Sequence, residues 1–363
     1  MKTKVLVAMS GGVDSSVAAL LMKQKGYEVI GVFMKNWSGT KNEYGECAWR
    51  EERKIALKIA SLIDIPLLTV DFEKQYKKKV VEKMFENYKK GITPNPDIDC
   101  NQKIKFPLLL KLAKKIKADY LVTGHYARIK KEKNKFYLCR AKNENKDQSY
   151  FIYRLTEGQL SKIIFPIGDY TKSQIREIAK EHAFPNFNKK STVGICFIGK
   201  INLKKFLQKK ITSKPGKILD PNGKEIGKHD GVYYYTIGQR LGPRYGFDIK
   251  KPNEKKMKRW YVALKNTKTK VIVAAPENHP LLYRKKIIIK NPHWINPLKN
   301  KNIEVFSRIR QVGELIPSKL SFNKKTKKFE VVLKRPITGI SEGQAIVLYQ
   351  GKKCLGGGVI NFK

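Results

Sequence analysis

The chain is short of acid. Its 363 residues carry 76 Lys and Arg against 31 Asp and Glu, a formal net charge of +45. Such a molecule seeks a polyanion at neutral pH, either nucleic acid or an anionic membrane. Long apolar runs are missing too. None approaches the ~18 residues of a spanning helix, and the N-terminal apolar stretch falls below the ~7 of a secretory signal, so a soluble, cytoplasmic protein with no membrane partner is expected. Nucleic acid is then the polyanion, although part of the lysine excess lies in solvated runs such as KKPNEKKMKR and FNKKTKKF. The phosphate loop GxxxxGK[ST] is absent, the stretch 223–228 being one residue short of it, and so is GxGxxG. Cysteine is scarce: five residues, an odd number, with no CxxC pair, which supports neither a zinc site nor a structural disulfide framework. No internal repeat is present.

What the chain does have begins with VLVAMSGGVDSSVAALLM, residues 5–22. Residues 5–9 form a continuous apolar run of strand length, and Val13, Val17, Leu20 and Leu21 recur at helical spacing. The loop between them joins a buried strand to a helix. Gly11 and Gly12 allow a tight turn and close approach to a ligand, while Ser10, Ser15 and Ser16 add hydroxyls beside the free N–H groups of a helix start, an anion site. Asp14 is out of place there, because a carboxylate repels phosphate unless Mg²⁺ bridges the two. Asp14 is therefore the candidate metal ligand.

Apolar strands at 5–9, 29–34, 67–71 and 120–123 alternate with helical stretches at 13–23, 49–63, 76–88 and 106–116. This predicts an α/β domain with a doubly wound parallel sheet. Beyond residue 200 the texture turns to β, with strand-like runs GVYYYTIGQ, WYVAL, VIVAA, KIIIK, FEVVLK and AIVLY. A small central domain and a C-terminal β-barrel are expected, with boundaries giving 1–206, 207–276 and 277–363. Two cysteines stand apart. Cys100 lies in GITPNPDIDCNQKIKF, whose prolines and polar residues predict a loop. Cys196 lies in STVGICFIG after a lysine-flanked stretch, and lysines near a partly exposed thiol make it nucleophilic. Cys47, Cys139 and Cys354 read as small buried hydrophobes.

SGGVDSS resembles the pyrophosphate loop of the ATP-pyrophosphatase superfamily, which cleaves ATP between the α- and β-phosphates and adenylates a substrate. Joined in order by VFMKNW, GITPNPDIDCNQKIKF, TGHYAR, KDQSYF, GICFIG, YYTIGQR and GQAIVLYQGKKCLGGG, it makes nearly the whole chain resemble the tRNA-specific 2-thiouridylase family. The chain departs from that family's pattern after YYTIGQR, in STV before GIC, and in the loop after Trp37, which has fewer acids.

The resemblance implies ATP and Mg²⁺, a cytoplasmic monomer, a tRNA with a wobble uridine, and a persulfide donor that is either a relay protein or a cysteine desulfurase. Ala8, Met9, Ser10, Gly11, Gly12, Val13, Asp14 and Ser15, with Met34 and Gly124, would contact ATP. Asn95, Pro96 and Asp97 would meet the target base, Asp97 as acid/base group and Asp99 as a weaker candidate. Cys196 would carry the persulfide and Cys100 would work opposite it. His125, Lys146, Asp147, Gln148, Ile309, Arg310 and Gln344 would touch tRNA. A small-metabolite ligase of the same superfamily would have no use for two such cysteines, and a non-catalytic RNA-binding protein would need neither Asp14 nor Cys196.

Overall fold

The computed structural model describes residues 2–40, 47–190, 196, 198–199, 201–242, 248–249, 259–311 and 313–362. The departure at 191–193, and residues 243–247 and 250–256 of the departing stretch after YYTIGQR, lie outside them.

In the first domain β1 (Lys4–Ala8) is the central strand of a five-stranded parallel sheet, with Val5, Leu6 and Val7 fully buried. On one side lie β2 (Glu28–Lys35) and β3 (Leu67–Asp71), on the other β4 (Tyr120–Thr123). After β4 the chain leaves this sheet for a hairpin, β5 (Ala127–Glu132) and β6 (Lys135–Arg140), then returns as β7 (Ile163–Ile164) at the edge beside β4. Strand order therefore reverses between β1 and β4, and in such sheets ligands bind at the carboxyl ends beside that switch. α1 (Val13–Gln24) and α2 (Ala48–Leu62) follow β1 and β2. No helix among the described residues is long and apolar enough to cross a membrane.

Two helical runs depart from simple periodicity. Residues 73–89 and 96–115 are each interrupted by a π turn, Lys77–Val81 and Asn101–Lys105, and the two π turns pack on each other. The expected loop around Cys100 is instead the helix Pro96–Cys100. Pro96 takes the first helical position, where its missing N–H costs nothing, and the Asn95 side chain accepts the Ile98 N–H at 3.3 Å as the N-cap. Cys100 is accordingly buried in the core.

The central domain is a six-stranded sheet of β8 (Gly216–Leu219), β9 (Glu225–His229), β10 (Arg240–Leu241), β11 (Asp248–Ile249), β12 (Trp260–Asn266) and β13 (Val271–Pro276). GVYYYTIGQ is no strand: Val232–Tyr234 form a 3₁₀ turn that buries Val232 and Tyr234. The C-terminal strands β14 (Tyr283–Trp294), β15 (Ile303–Arg308), β16 (Ile316–Asn323), β17 (Lys328–Thr338), β18 (Ala345–Gln350) and β19 (Lys353–Asn361) run in the order 14-17-16-15-18-19. Pairing of β14 with β19 closes them into a six-stranded barrel around Ile287, Leu320, Val331, Leu333, Ile346 and Leu348.

The domains share a core. One apolar cluster holds Leu6 and Phe106 of the first domain, Val262 and Ile272 of the central sheet, and Val347 and Tyr349 of the barrel. The β6 strand bridges to β19 through Cys139 and Lys353. Beside that bridge Asp147 and Arg308 form a buried ion pair at 2.6 Å, their side chains 0% and 5% exposed. Asp147 also accepts the N–H groups of Ala141 and Ser149 and the Ser149 hydroxyl, the last at 2.8 Å. Removing one partner strands a charge with no water to solvate it. Arg308→Met should therefore lower the unfolding free energy by about 3–5 kcal/mol, and adding Asp147→Asn should recover part of the loss, as read by urea denaturation.

Candidate active site

The turn after β1 is held open by backbone constraints. Gly11 has φ +76° in the left-handed region, and a Cβ there would lie 2.3 Å from the Glu52 carbonyl oxygen. Gly12 caps α1 with extended backbone and no side chain, leaving the first N–H groups of a 12-residue helix facing outward. The hydroxyls of Ser15 and Ser16, expected to face a ligand, are buried and donate to the Gly12 carbonyl at 2.9 and 3.0 Å. They shape the turn, and Ser10 alone of the three is exposed. Gly124, after β4, packs so closely on α1 that a Cβ would sit 2.7 Å from the Asp14 carbonyl carbon and the Ser15 nitrogen. Ala8, Met9, Val13 and Met34 complete the floor of this edge as core residues or their neighbours.

Asp14 is compensated by protein. Its Oδ1 accepts the Tyr126 hydroxyl at 2.8 Å and the Lys172 ammonium at 2.6 Å. Burial first, then the Asp14 charge, push the Tyr126 phenol far up, so it remains a donor. No group of three or more His, Cys, Asp or Glu among the described residues could hold a metal by itself. A single partly exposed carboxylate beside phosphates does fit Mg²⁺, which takes one or two carboxylates plus substrate oxygens.

The second cluster lies where β2, β3 and β4 end. Asp97 Oδ1 accepts the Cys196 N–H at 2.8 Å, and the Tyr76 hydroxyl donates to the Cys196 carbonyl at 2.5 Å. These two bonds hold the Cys196 backbone over the helix that carries Cys100. Both thiols are free, and each acts on the other's titration. The Cys100 thiol holds Cys196 below the usual thiol range against the opposing effect of burial, and Lys105 adds to it. Burial, then Cys196, push Cys100 well up. Cys196 is thus the more acidic thiol of the two. Burial also raises Asp97, opposed by the Cys196 N–H and by Lys105. The cation acting on Cys196 is therefore Lys105; of the lysines flanking its segment, Lys189 is spent on Glu52 at 2.6 Å. Cys139 and Cys354 are buried as expected, whereas Cys47 is half-buried with its thiol on the Ser38 carbonyl.

The candidate tRNA residues divide by exposure. Lys146 and Arg310 are exposed, while Asn95, Pro96, Asp97, Gln148 and Gln344 are half-buried. Gln344 reaches from the barrel to donate to the Thr93 and Pro94 carbonyls, each at 2.9 Å, and receives the Asn95 amide at 3.4 Å. Gln148 accepts the Tyr126 N–H at 2.9 Å. The side chains of His125, Asp147 and Ile309 are buried, while Lys146 and Arg310, next to Asp147 and Ile309 in the chain, are exposed.

Comparison with known proteins settles the family. Residues 3–200 match the family described as tRNA methyl transferase HUP domain, 204–276 the tRNA methyl transferase PRC-barrel domain, and 284–360 the aminomethyltransferase beta-barrel domain. The tRNA-specific 2-thiouridylase MnmA of Bacillus subtilis is 42% identical over 99% of this chain and 95% of its own, and that of Coxiella burnetii is 43% identical over 98% of each. The chain belongs to the tRNA-specific 2-thiouridylase family. Among solved structures a 4-thiouridine synthetase–RNA complex with bound ATP is 19% identical over 55% of this chain and 46% of that one, at a TM-score of 0.37 too distant to argue from.

Three contacts of this thiouridylase-family loop escape its sequence motif: Tyr126 and Lys172 on Asp14, and Asn186, which donates to the Gly11 carbonyl at 3.0 Å. Tyr126 lies within TGHYAR, and Lys172 follows Thr171, which forms with Gln174 the capping box that starts its helix. Gly124→Ala should push the first turn of α1 outward. We expect a loss of about 1–3 kcal/mol in stability together with loss of ATP binding, followed by equilibrium dialysis, while tRNA binding persists.

Proposed function

We propose that the chain is an ATP-dependent tRNA 2-thiouridylase. The uracil O2 attacks the α-phosphate of ATP, pyrophosphate leaves, and Asp97 takes the N3 proton that the O-adenylated base must shed. Adenylation turns a poor leaving oxygen into AMP. The N–H groups at the start of α1, with Lys172 nearby, receive the charge on the departing pyrophosphate. Asp14 is the residue that would hold Mg²⁺ against the phosphates, where the ion would neutralise their charge.

Sulfur then arrives as a persulfide on Cys196, loaded by a relay protein or a cysteine desulfurase. In one order the terminal sulfur attacks C2, AMP leaves, and the Cys100 thiolate attacks the Cys196 sulfur, freeing 2-thiouridine and leaving a Cys100–Cys196 disulfide. In the other order Cys100 first releases hydrosulfide, which attacks C2. Either way a two-electron thiol reductant resets the pair. The observation that carries this reading is the Cys196 N–H on Asp97, one turn before Cys100 on the same helix. Methyl transfer, which the matched family descriptions name, uses neither paired thiols nor a phosphate loop.

Cys196→Ser should retain ATP–pyrophosphate exchange with tRNA and make no 2-thiouridine from a persulfide donor, read by nucleoside mass spectrometry. Thiolation at the wild-type rate by both Cys196→Ser and Cys100→Ser would sink the mechanism. Adenylation should fall as pH drops through a limb lying above the ordinary 3.8 of an aspartate, because burial raises Asp97 and the base must be ionised. Asp97→Asn should flatten that limb along with most of the rate.

A further inference from the structure

Lys105 and His125 have no part in the steps above, yet both are built into the thiol site. Pro107 has no N–H for the Lys103 carbonyl and its ring crowds that carbonyl. The helix relieves this with the π turn Asn101–Lys105, closed by the Phe106 N–H on the Asn101 carbonyl. In an unbroken α-helix residue 105 would stand roughly 140° round the axis from residue 100. The i→i+5 turn brings it back to the face of Cys100.

We propose that Lys105 is the cation that keeps the Cys196 sulfur anionic, and that a neutral His125 is the positioning residue that seats its ammonium. The His125 ring is buried, stacked on Phe106 at 5.5 Å between centroids and edge-on to Phe165 at 6.0 Å, so it cannot turn. Its Nδ1 lies 2.7 Å from the Thr123 hydroxyl and its Nε2 3.5 Å from Lys105 Nζ. An ammonium only donates, so Nε2 accepts and Nδ1–H donates to Thr123. Burial, then the Lys105 charge, hold His125 well below the usual histidine range, so the ring offers a lone pair and no competing positive charge.

The groups facing Cys196 explain the need for a cation. Asp97 brings a carboxylate to its N–H and Tyr76 brings a phenol to its carbonyl, while the Cys100 thiol lies on the same helix as Asp97. The Tyr76 phenol is held neutral chiefly by burial. A sulfur anion here would stand beside a carboxylate in a half-buried site, and among the described residues Lys105 is the one cation that acts on Asp97, Cys100 and Cys196 alike. A thiolate or persulfide anion is the nucleophile, so its charge has to be met before sulfur can move.

The proposal rests on Cys196 as the sulfur carrier, but its test does not. In the full-length reduced protein, the rate of Cys196 alkylation by iodoacetamide is followed by peptide mass spectrometry from pH 5 to 10. Lys105→Gln keeps a donor for His125 Nε2 and removes only the charge. Its alkylation profile should move up by about one pH unit, a roughly tenfold loss of rate near neutrality, with the melting temperature near wild type. Lys105→Arg should restore the wild-type profile, and His125→Leu should move it part of the way. If the Lys105→Gln profile coincides with wild type, or Lys105→Arg shifts as far as Lys105→Gln, the proposal is wrong. Should Cys196→Ser still thiolate tRNA, the carrier reading fails while the alkylation result keeps its meaning.

Discussion

The geometry of the site hangs on the Asp147–Arg308 ion pair. Two opposite charges out of water must stay together, since either one alone would be left unsolvated. One belongs to the first domain and the other to the barrel, so the pair locks the two bodies in register. The Asp147 carbonyl takes the Gln311 amide, and Ser149 shares a hydrogen bond with the Tyr349 hydroxyl. With the barrel fixed, Gln344 lies within reach of the Thr93 and Pro94 carbonyls, and Thr93 is tied by its N–H to the Glu342 carbonyl and by its hydroxyl to Thr236 of the central domain. The next residue, Asn95, is the N-cap of the helix that presents Asp97 and Cys100. Three domains thus converge on residues 93–95, which lead into the helix carrying Asp97 and Cys100.

Those dependencies explain which parts of the fold were legible in the sequence. The loop at residues 10–14 announces itself because strand period, glycines and helix period follow one another locally. The parallel sheet is legible for the same reason. The helix at Pro96–Cys100 was misread because prolines at 94 and 96 look like breakers, although a proline at the first helical position behind an asparagine cap is a start signal. The π turn was beyond reach, as a regular helical period leaves Lys105 off the face of Cys100. The triple tyrosine at 233–235 has strand composition, but its neighbours fold it into a tight turn where Tyr234 and Tyr235 bury their rings.

Which long-range partners meet left no local trace. Tyr126 and Lys172 meet Asp14 from more than a hundred residues away, and Lys105 meets Cys196 across a comparable gap. The positive charge of the chain points to a polyanion, but it cannot distinguish a lysine in solvent from one seated on a buried imidazole. Among the groups that act on Cys196, Lys105 comes from far away in the sequence, whereas Lys189, close to it in the chain, is paired with Glu52.

The barrel strand β19 pairs with the hairpin of the first domain across about two hundred residues of chain. On a ribosome the first domain is therefore complete in sequence long before it is complete in structure. Until the barrel strands are made, Asp147 has no cation, the Thr93 and Pro94 carbonyls have no glutamine, and the helix Pro96–Cys100 lacks its anchor. A nascent or truncated chain can display the loop after β1, but the helix that carries Asp97 and Cys100 comes into register only once the barrel has formed.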